Sequence, residues 1–300
     1  MNKWITYQKE RFPVPQYALM ALAFSYSGLC LSMALRGAPG LPGVQAVVTA
    51  AVTTFLFFLE LHIADEFKDY EDDCRYQPYR PVPRGLVSLK ELGVVGVLAL
   101  IIQIVITASF SVGLFPILAA AGAYLGLMSV EFFAREQLRR RPLLYMLTHM
   151  LILLFIDLYV TACDWLVHGG VMPPALVLFL GISFANGIAI ELGRKFRAPK
   201  DEEPGVDTYT SAWGIKTASL AWITTLSCSA VVACLIDIHA AAAIVALLAA
   251  AAVAVFRFNS QPTTIRAKRL ELISSVWVFS IYLSLGTIPA IARSLTQCMH

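Results

Sequence analysis

The chain has 300 residues, 58% of them hydrophobic and only 14% charged, with a mean hydropathy of +0.70. Soluble proteins carry about 25% charged residues, so this composition excludes an ordinary soluble domain and points to a chain solvated mostly by lipid. The formal net charge of +3 says little about partners, because where the charges lie matters more than their sum; no nucleic-acid partner is expected.

In chain order, the N-terminal tail carries Lys3, Lys9 and Arg11 and lacks the apolar core of a cleaved leader. Nine apolar runs follow, at about 16–35, 44–64, 91–110, 113–133, 142–163, 174–192, 212–236, 238–256 and 271–292. Each is near the 20 or so residues that a helix needs to cross about 30 Å of hydrocarbon. The expected fold is therefore all-α, a single polytopic membrane domain over 1–300 with nine transmembrane helices. Of the 23 Lys and Arg, 21 lie in the tail or near the connections after the second, fourth, sixth and eighth runs, the exceptions being Arg36 and Arg293. That bias puts the N-terminus and those connections in the cytoplasm and the C-terminus outside, in an inner or plasma membrane. The six cysteines form no C-x-x-C pair and lie mostly in apolar runs, so they read as small core residues rather than a zinc site or disulfide framework.

The connection after the second run opens with D-E-F-K-D-Y-E-D-D at 65–73, six carboxylates in nine residues. At helical spacing Asp65, Asp69 and Asp73 stack on one face, with Glu66 and Asp72 beside them. Such a stripe repels itself unless cations occupy it. It suits Mg2+, which takes one or two carboxylates and completes its shell with water and phosphate oxygens. A solvated acidic stalk at a helix exit is the alternative. After the sixth run a second acidic stretch, with Glu191, Asp201, Glu202 and Glu203, is interleaved with Arg194, Lys195, Arg197 and Lys200. Two such clusters on one side of the membrane read as two halves of one site, at 65–73 and 191–205, able to hold a polyanion such as diphosphate.

These stretches carry a recognisable pattern. Asp65-Glu66-x-x-Asp69-x-x-x-Asp73, followed by Arg80-Pro81 and then Gly85 and Ser88, is similar to N-D-x-x-D-x-x-x-D followed by R-P-x-x-x-G-x-x-S. Asp201, Gly205, Thr208 and Gly214 keep the spacing of a second motif, D-x-x-x-D-x-x-x-G-x-x-T. With the nine runs, the chain resembles the UbiA superfamily of intramembrane prenyltransferases over nearly its whole length, as a divergent branch. It departs in four places. The leading Asn is Asp65 and the Asp beside it is Glu66; the first Asp of the second motif is Arg197, for which Glu191 is a candidate substitute; and the usual Tyr-x-x-x-Lys is Glu131-Phe-Phe-Ala-Arg135.

The resemblance implies ionisation of an allylic isoprenyl diphosphate, with Mg2+ and basic side chains neutralising the leaving group. It implies metal contacts at Asp65, Glu66, Asp69, Asp73, Glu191 and Asp201, and diphosphate contacts at Lys68, Arg135, Arg194 and Lys195. For each base the alternative is plain positive-inside topology. Polar residues inside the bilayer are costly unless paired or functional, which makes His62, His149, Asp157 and Asn186 further substrate-binding candidates. His149 otherwise reads as a satisfied helix–helix hydrogen bonder, and Asp157, about 22 Å along its helix, as reaching the outer interface. Gly181, Gly187 and Gly193 suit close helix packing. The expected activity is prenyl transfer to an aromatic or other lipophilic acceptor. A terpene cyclase on the same scaffold, whose substrate captures its own cation, is the alternative. A transporter or lipid-binding membrane protein is disfavoured, because the acidic clusters lie at helix ends rather than at the midplane.

Overall fold

The computed structural model describes residues 2–237 and 241–298. Among the described residues every regular element is helical, and nine helices are long and apolar enough to cross a membrane. All nine predicted runs fall on them. A short α1 (Lys3–Glu10) leads into α2 (Val14–Leu35) and α3 (Val44–Lys68), followed by a short α4 (Tyr70–Tyr76). Next come α5 (Leu89–Phe110), α6 (Phe115–Ser129) and the short α7 (Arg135–Arg139). The fifth span is α8 (Pro142–Met150) joined to α9 (Ile152–Trp165); α10 (Leu176–Arg194), a short α11 (Tyr209–Trp213), α12 (Ile215–Ile236) and α13 (Ala241–Ser260) follow. The last span is α14 (Thr264–Tyr282), a π-helical turn (Leu283–Thr287) and α15 (Ile288–Cys298). The first residues of the run expected at 238–256, and the side chain of Cys298, lie outside the described residues.

Local chemistry sets the helix boundaries. Ser88 Oγ accepts the Glu91 N–H at 3.3 Å while the Glu91 carboxylate accepts the Ser88 N–H at 3.0 Å, a reciprocal cap that starts α5. Thr208 and Thr263 cap α11 and α14 with their hydroxyls. The run expected to extend to 133 stops at Ser129, because Glu131, Phe132 and Phe133 turn into left-handed backbone with φ of 50°, 53° and 56°. Side chains adopt that region only at a cost, so the surrounding packing must enforce this turn.

The bundle is turned to suit lipid. α5 exposes Val94, Val97, Leu98, Ile101 and Val105 while burying Gln103 and Thr107. The Gln103 amide donates to the Thr53 carbonyl at 3.3 Å, and the Thr107 and Tyr159 hydroxyls meet at 2.6 Å. Lipid offers no hydrogen-bond partner, so these groups find one another inside. α10 runs through the middle, against α8, α9, α12 and α14. A methyl group at Gly187 would collide with Leu153 and Met150, and one at Gly193 with Ser274. Those two glycines therefore set how closely α8–α9 and α14 approach. Gly181, expected to do the same, has nothing within reach of an added methyl group. Cys30 and Cys163 are core residues as expected, whereas Cys74 and Cys228 are exposed.

Ion pairs gather the connections on one face. Lys3 pairs with Glu91, Arg84 with Glu10 at 2.9 Å, and Arg135 with Asp72 at 3.5 Å. The Tyr79 hydroxyl reaches Glu203 at 3.5 Å. At the other end of α2, Arg36 grips Asp164 of α9 through two nitrogens at 2.6 and 2.9 Å, and Ser32 donates to the same carboxylate at 2.7 Å. An arginine that breaks the charge bias is thus neutralised where it stands.

Candidate active site

The 65–73 stretch is not one straight helix. Asp69, at φ −95° and ψ 3°, ends α3 and precedes α4. The backbone ladder nevertheless carries on, with Asp69 N–H donating to Asp65 C=O at 2.9 Å and Asp73 N–H to Asp69 C=O at 2.8 Å. The expected single-face stack becomes a kinked pair of turns that gives each carboxylate its own surroundings. Asp65 is partly exposed and accepts from Lys68 Nζ at 3.0 Å. Asp73 is buried, and both its oxygens accept from Arg80 Nη1 at 2.7 Å. The Asp69 side chain has no hydrogen-bond or ion-pair partner among the described residues. Burial pushes its carboxyl up to about 6; Lys68 and Lys195 pull it down, and the like charges of Asp65 and Asp73 push it further up.

Glu66 turns to a different neighbourhood. It is fully buried and accepts from Arg11 Nε at 2.6 Å, with His62 Nε2 at 3.5 Å. The His62 ring packs with Tyr7 and Phe12. The structure thus places Glu66 and His62 in a clasp that anchors the N-terminal segment, not with the other carboxylates. A cation at Glu66 would have to displace Arg11.

The basic side of the site is built around Tyr145, in the first turns of α8. Lys68 Nζ, almost buried, donates to the Tyr145 hydroxyl at 2.7 Å and lies 5.2 Å from its ring centre. Lys195, from the end of α10, lies 5.8 Å from that ring and 5.4 Å from the ring of Tyr209. One aromatic ring therefore joins the basic arms of the two motifs by cation–π contact. Glu191 accepts from Arg194 and Lys195, each at 2.8 Å, and from the Tyr209 hydroxyl at 3.5 Å. The resemblance makes Glu191 a metal contact, whereas the geometry displays an ion pair that aims two cations. Glu191→Gln is accordingly expected to lower kcat/KM by weakening the hold on Lys195, with the Mg2+ concentration for half-maximal activity unchanged. A Mg2+ titration shifted to higher concentration would make Glu191 a ligand instead.

Arg197, in the position of a missing carboxylate, donates from Nη1 to the carbonyls of Arg194 and Phe196 at 2.9 and 2.8 Å. It satisfies carbonyls that the end of α10 leaves open. Asp201 ends a tight turn, and its Oδ2 is buried without a hydrogen-bond partner among the described residues. Beside it Glu202 is locked by the hydroxyls of Thr208 and Thr210, both at 2.7 Å. The two motif loops touch: Gly205, at φ +78°, sits so close to the Tyr76 ring that no side chain fits there. Arg135 follows the left-handed turn, bonds the Lys68 carbonyl at 3.4 Å and pairs with Asp72 and Glu131 at 3.5 and 3.6 Å.

Of the residues inside the bilayer, His149 reaches the site. Its ring stacks on Tyr145 with centres 3.8 Å apart, and Nδ1 lies 2.8 Å from the Tyr145 carbonyl. A carbonyl only accepts, so Nδ1 carries the proton and the lone pair is on Nε2, which is buried without a partner. Asn186 and Asp157 lie deeper. Ser229 donates to Asn186 at 3.1 Å, and Tyr282 to Ser183 at 3.0 Å. Asp157 is wholly buried among its neighbours, with neither oxygen hydrogen-bonded among the described residues. Tyr145 and Tyr209 carry no distinguishing signal in the sequence, since an aromatic near a helix end reads first as an interface anchor. Arg80 appeared there only as part of a motif.

The protein-family model for the UbiA prenyltransferase family matches residues 21–279. The chain belongs to that family. Solved structures share its fold. A membrane digeranylgeranylglyceryl phosphate synthase is 15% identical, with a TM-score of 0.63, covering 98% of this chain and 99% of its own. An apo UbiA homologue from Aeropyrum pernix K1 is 14% identical, with a TM-score of 0.65, covering 88% of this chain and 94% of its own. A UbiA homologue from Archaeoglobus fulgidus bound to GPP and Mg2+ is 12% identical, with a TM-score of 0.57, covering 93% of this chain and 99% of its own. No curated protein matches the chain significantly. Within this UbiA fold, the motif loops and the ends of α3, α8 and α10 form the candidate active site.

Proposed function

We propose that this UbiA family member ionises an allylic isoprenyl diphosphate in a Mg2+-dependent reaction and transfers the prenyl group to an aromatic or other lipophilic acceptor. One observation carries the reading. Lys68 and Lys195 converge on Tyr145 beside Asp69, a carboxylate with no partner of its own. The donor set fits Mg2+, being hard oxygens only. Among the described residues no three His, Cys, Asp or Glu side chains form a ready-made metal site. A site that supplies one or two carboxylates and leaves the remaining positions to water and substrate phosphate is the usual form for this ion. Asp69 and Asp65 would hold it, with Asp201 of the second motif loop as a further oxygen donor; Asp73 supports the turn through Arg80.

Bound there, Mg2+ would act as a Lewis acid on the diphosphate. Lys68, Lys195, Arg194 and Arg135 add the positive charge that stabilises the departing pyrophosphate. Tyr145 holds Lys68 and Lys195 in place, which limits the reorganisation needed when the C–O bond breaks. The buried Nε2 of His149 is placed to take the proton that the acceptor sheds as the new bond forms. The isoprenyl tail would extend between the helices, where water is excluded.

Incubating the purified protein with Mg2+ and allylic diphosphates separates the alternatives. Turnover only on adding an acceptor is expected. Pyrophosphate and a cyclic hydrocarbon without any acceptor would make it a cyclase, and no turnover in either case would overturn the enzyme reading. The active face is assigned to the cytoplasm from the distribution of bases. A reporter fused after Arg139 should therefore read cytoplasmic and one after His168 external; the same side for both would refute that assignment.

A further inference from the structure

On the bundle surface, α13 and α14 leave between them a groove of about 390 Å³. Its walls include Ala249, Ala250 and Val253, and Arg257, Arg266 and Arg269 close one end. From Ala249 to Arg257 is about 12 Å along α13 at 1.5 Å per residue. The basic end is at the turn joining α13 to α14, and the apolar end runs toward the middle of the membrane. The hollow exists because those positions carry small side chains. Elsewhere on the same two helices Phe256, Ile265 and Leu272 are 71%, 67% and 62% exposed, an apolar surface that only lipid would cover.

Charge bias alone asks for bases at this turn but not for their gathering around one groove. Arg257 and Arg269 have no ion-pair partner among the described residues, α13 has no carboxylate, and Glu271 of α14 does not line the groove. Arg266 Nη1 donates to the carbonyls of Arg257 and Gln261 at 2.7 and 2.9 Å, which fixes its guanidinium over the turn. Three guanidinium groups without a counter-charge call for an anion, and planar paired N–H donors suit phosphate. The apolar trough behind them makes a free anion a poor match. The groove opens on the same face as the candidate active site, because Gly193, two residues from Glu191, packs on Ser274 and Leu270 of α14.

We infer that this groove binds one anionic phospholipid, with its phosphate on Arg257 and Arg269, Arg266 behind them, and an acyl chain along Ala249, Ala250 and Val253. The charge placement at headgroup depth and the apolar continuation are the two ends of one lipid. None of these side chains belongs to the catalytic machinery proposed above, so the inference stands or falls separately from it.

The test is native mass spectrometry of the detergent-purified full chain titrated with phosphatidylglycerol or phosphatidylcholine. Wild-type protein should retain phosphatidylglycerol at least about 10-fold better than phosphatidylcholine, because both carry the phosphate but the choline cation of the latter is repelled by the three arginines. Arg257→Gln/Arg269→Gln should erase the preference, and Ala250→Phe, which fills the trough and leaves the arginines, should erase it too. Lys90→Gln/Arg140→Gln, with the same change in charge elsewhere, should keep it, and melting curves for all variants establish that they fold. Equal retention of the two lipids by wild-type protein, undiminished retention in either groove variant, or displacement by millimolar inorganic phosphate would overturn the inference.

Discussion

Asp69→Ala is expected to lower kcat by about 10²-fold or more while the protein stays folded. Asp65 and Asp73 each have a cation, whereas Asp69 stands between them without one, at the end of α3 and partly withdrawn from water. In the folded protein its burial and the like charges of Asp65 and Asp73 outweigh the pull of Lys68 and Lys195. That is a cost unless a cation binds, so its removal should not harm stability and should relieve repulsion. EDTA should abolish turnover of the wild type and Mg2+ restore it. Melting temperature and single-turnover rates on the same preparation check the prediction; full activity in the alanine variant would remove this stretch as the metal site.

Lys68→Met should cost about 10²–10³-fold in kcat/KM, the range found when one donor to developing charge is deleted. Its ammonium is nearly buried between Asp65 and the Tyr145 hydroxyl, at 3.0 and 2.7 Å. Methionine keeps the length of the stem and removes the charge, so packing around α8 is largely preserved. The loss should therefore fall on both diphosphate binding and ionisation. Tyr145→Phe, which deletes one contact of Lys68 and keeps the ring, should fall between the wild type and Lys68→Met. A Lys68→Met protein with a lowered melting temperature but unchanged kcat/KM in its folded fraction would make Lys68 a structural residue only.

The nine spans were legible because crossing lipid demands a length and a composition that few other structures share. The positions of the two motif loops were legible for a similar reason, since bases and carboxylates cannot remain in hydrocarbon. Direction within the loops was not. Asp65, Glu66 and Asp69 lie within five residues, yet they face Lys68, Arg11 and no partner respectively. That division depends on α1 folding back over α3, a tertiary contact with no local signature. Tyr145 escaped for the same reason, because its role comes from two lysines 77 and 50 residues away in sequence. Arg197 looked like a defect in a metal motif, and its work at the end of α10 emerges only when the open carbonyls of that helix are counted.

The pair of Arg36 and Asp164 bears on how the chain is made. Its members are 128 residues apart. At about 5–20 residues per second, the guanidinium waits on the order of ten seconds after its synthesis before its carboxylate exists. During that interval Arg36 stands without its counter-ion, at the end of α2 away from the basic tail and the basic connection after α3. The arrival of the fifth span supplies the counter-ion. The charge at the end of α2 that opposes the bias of its neighbours is thus balanced only once a segment from the middle of the chain has been made.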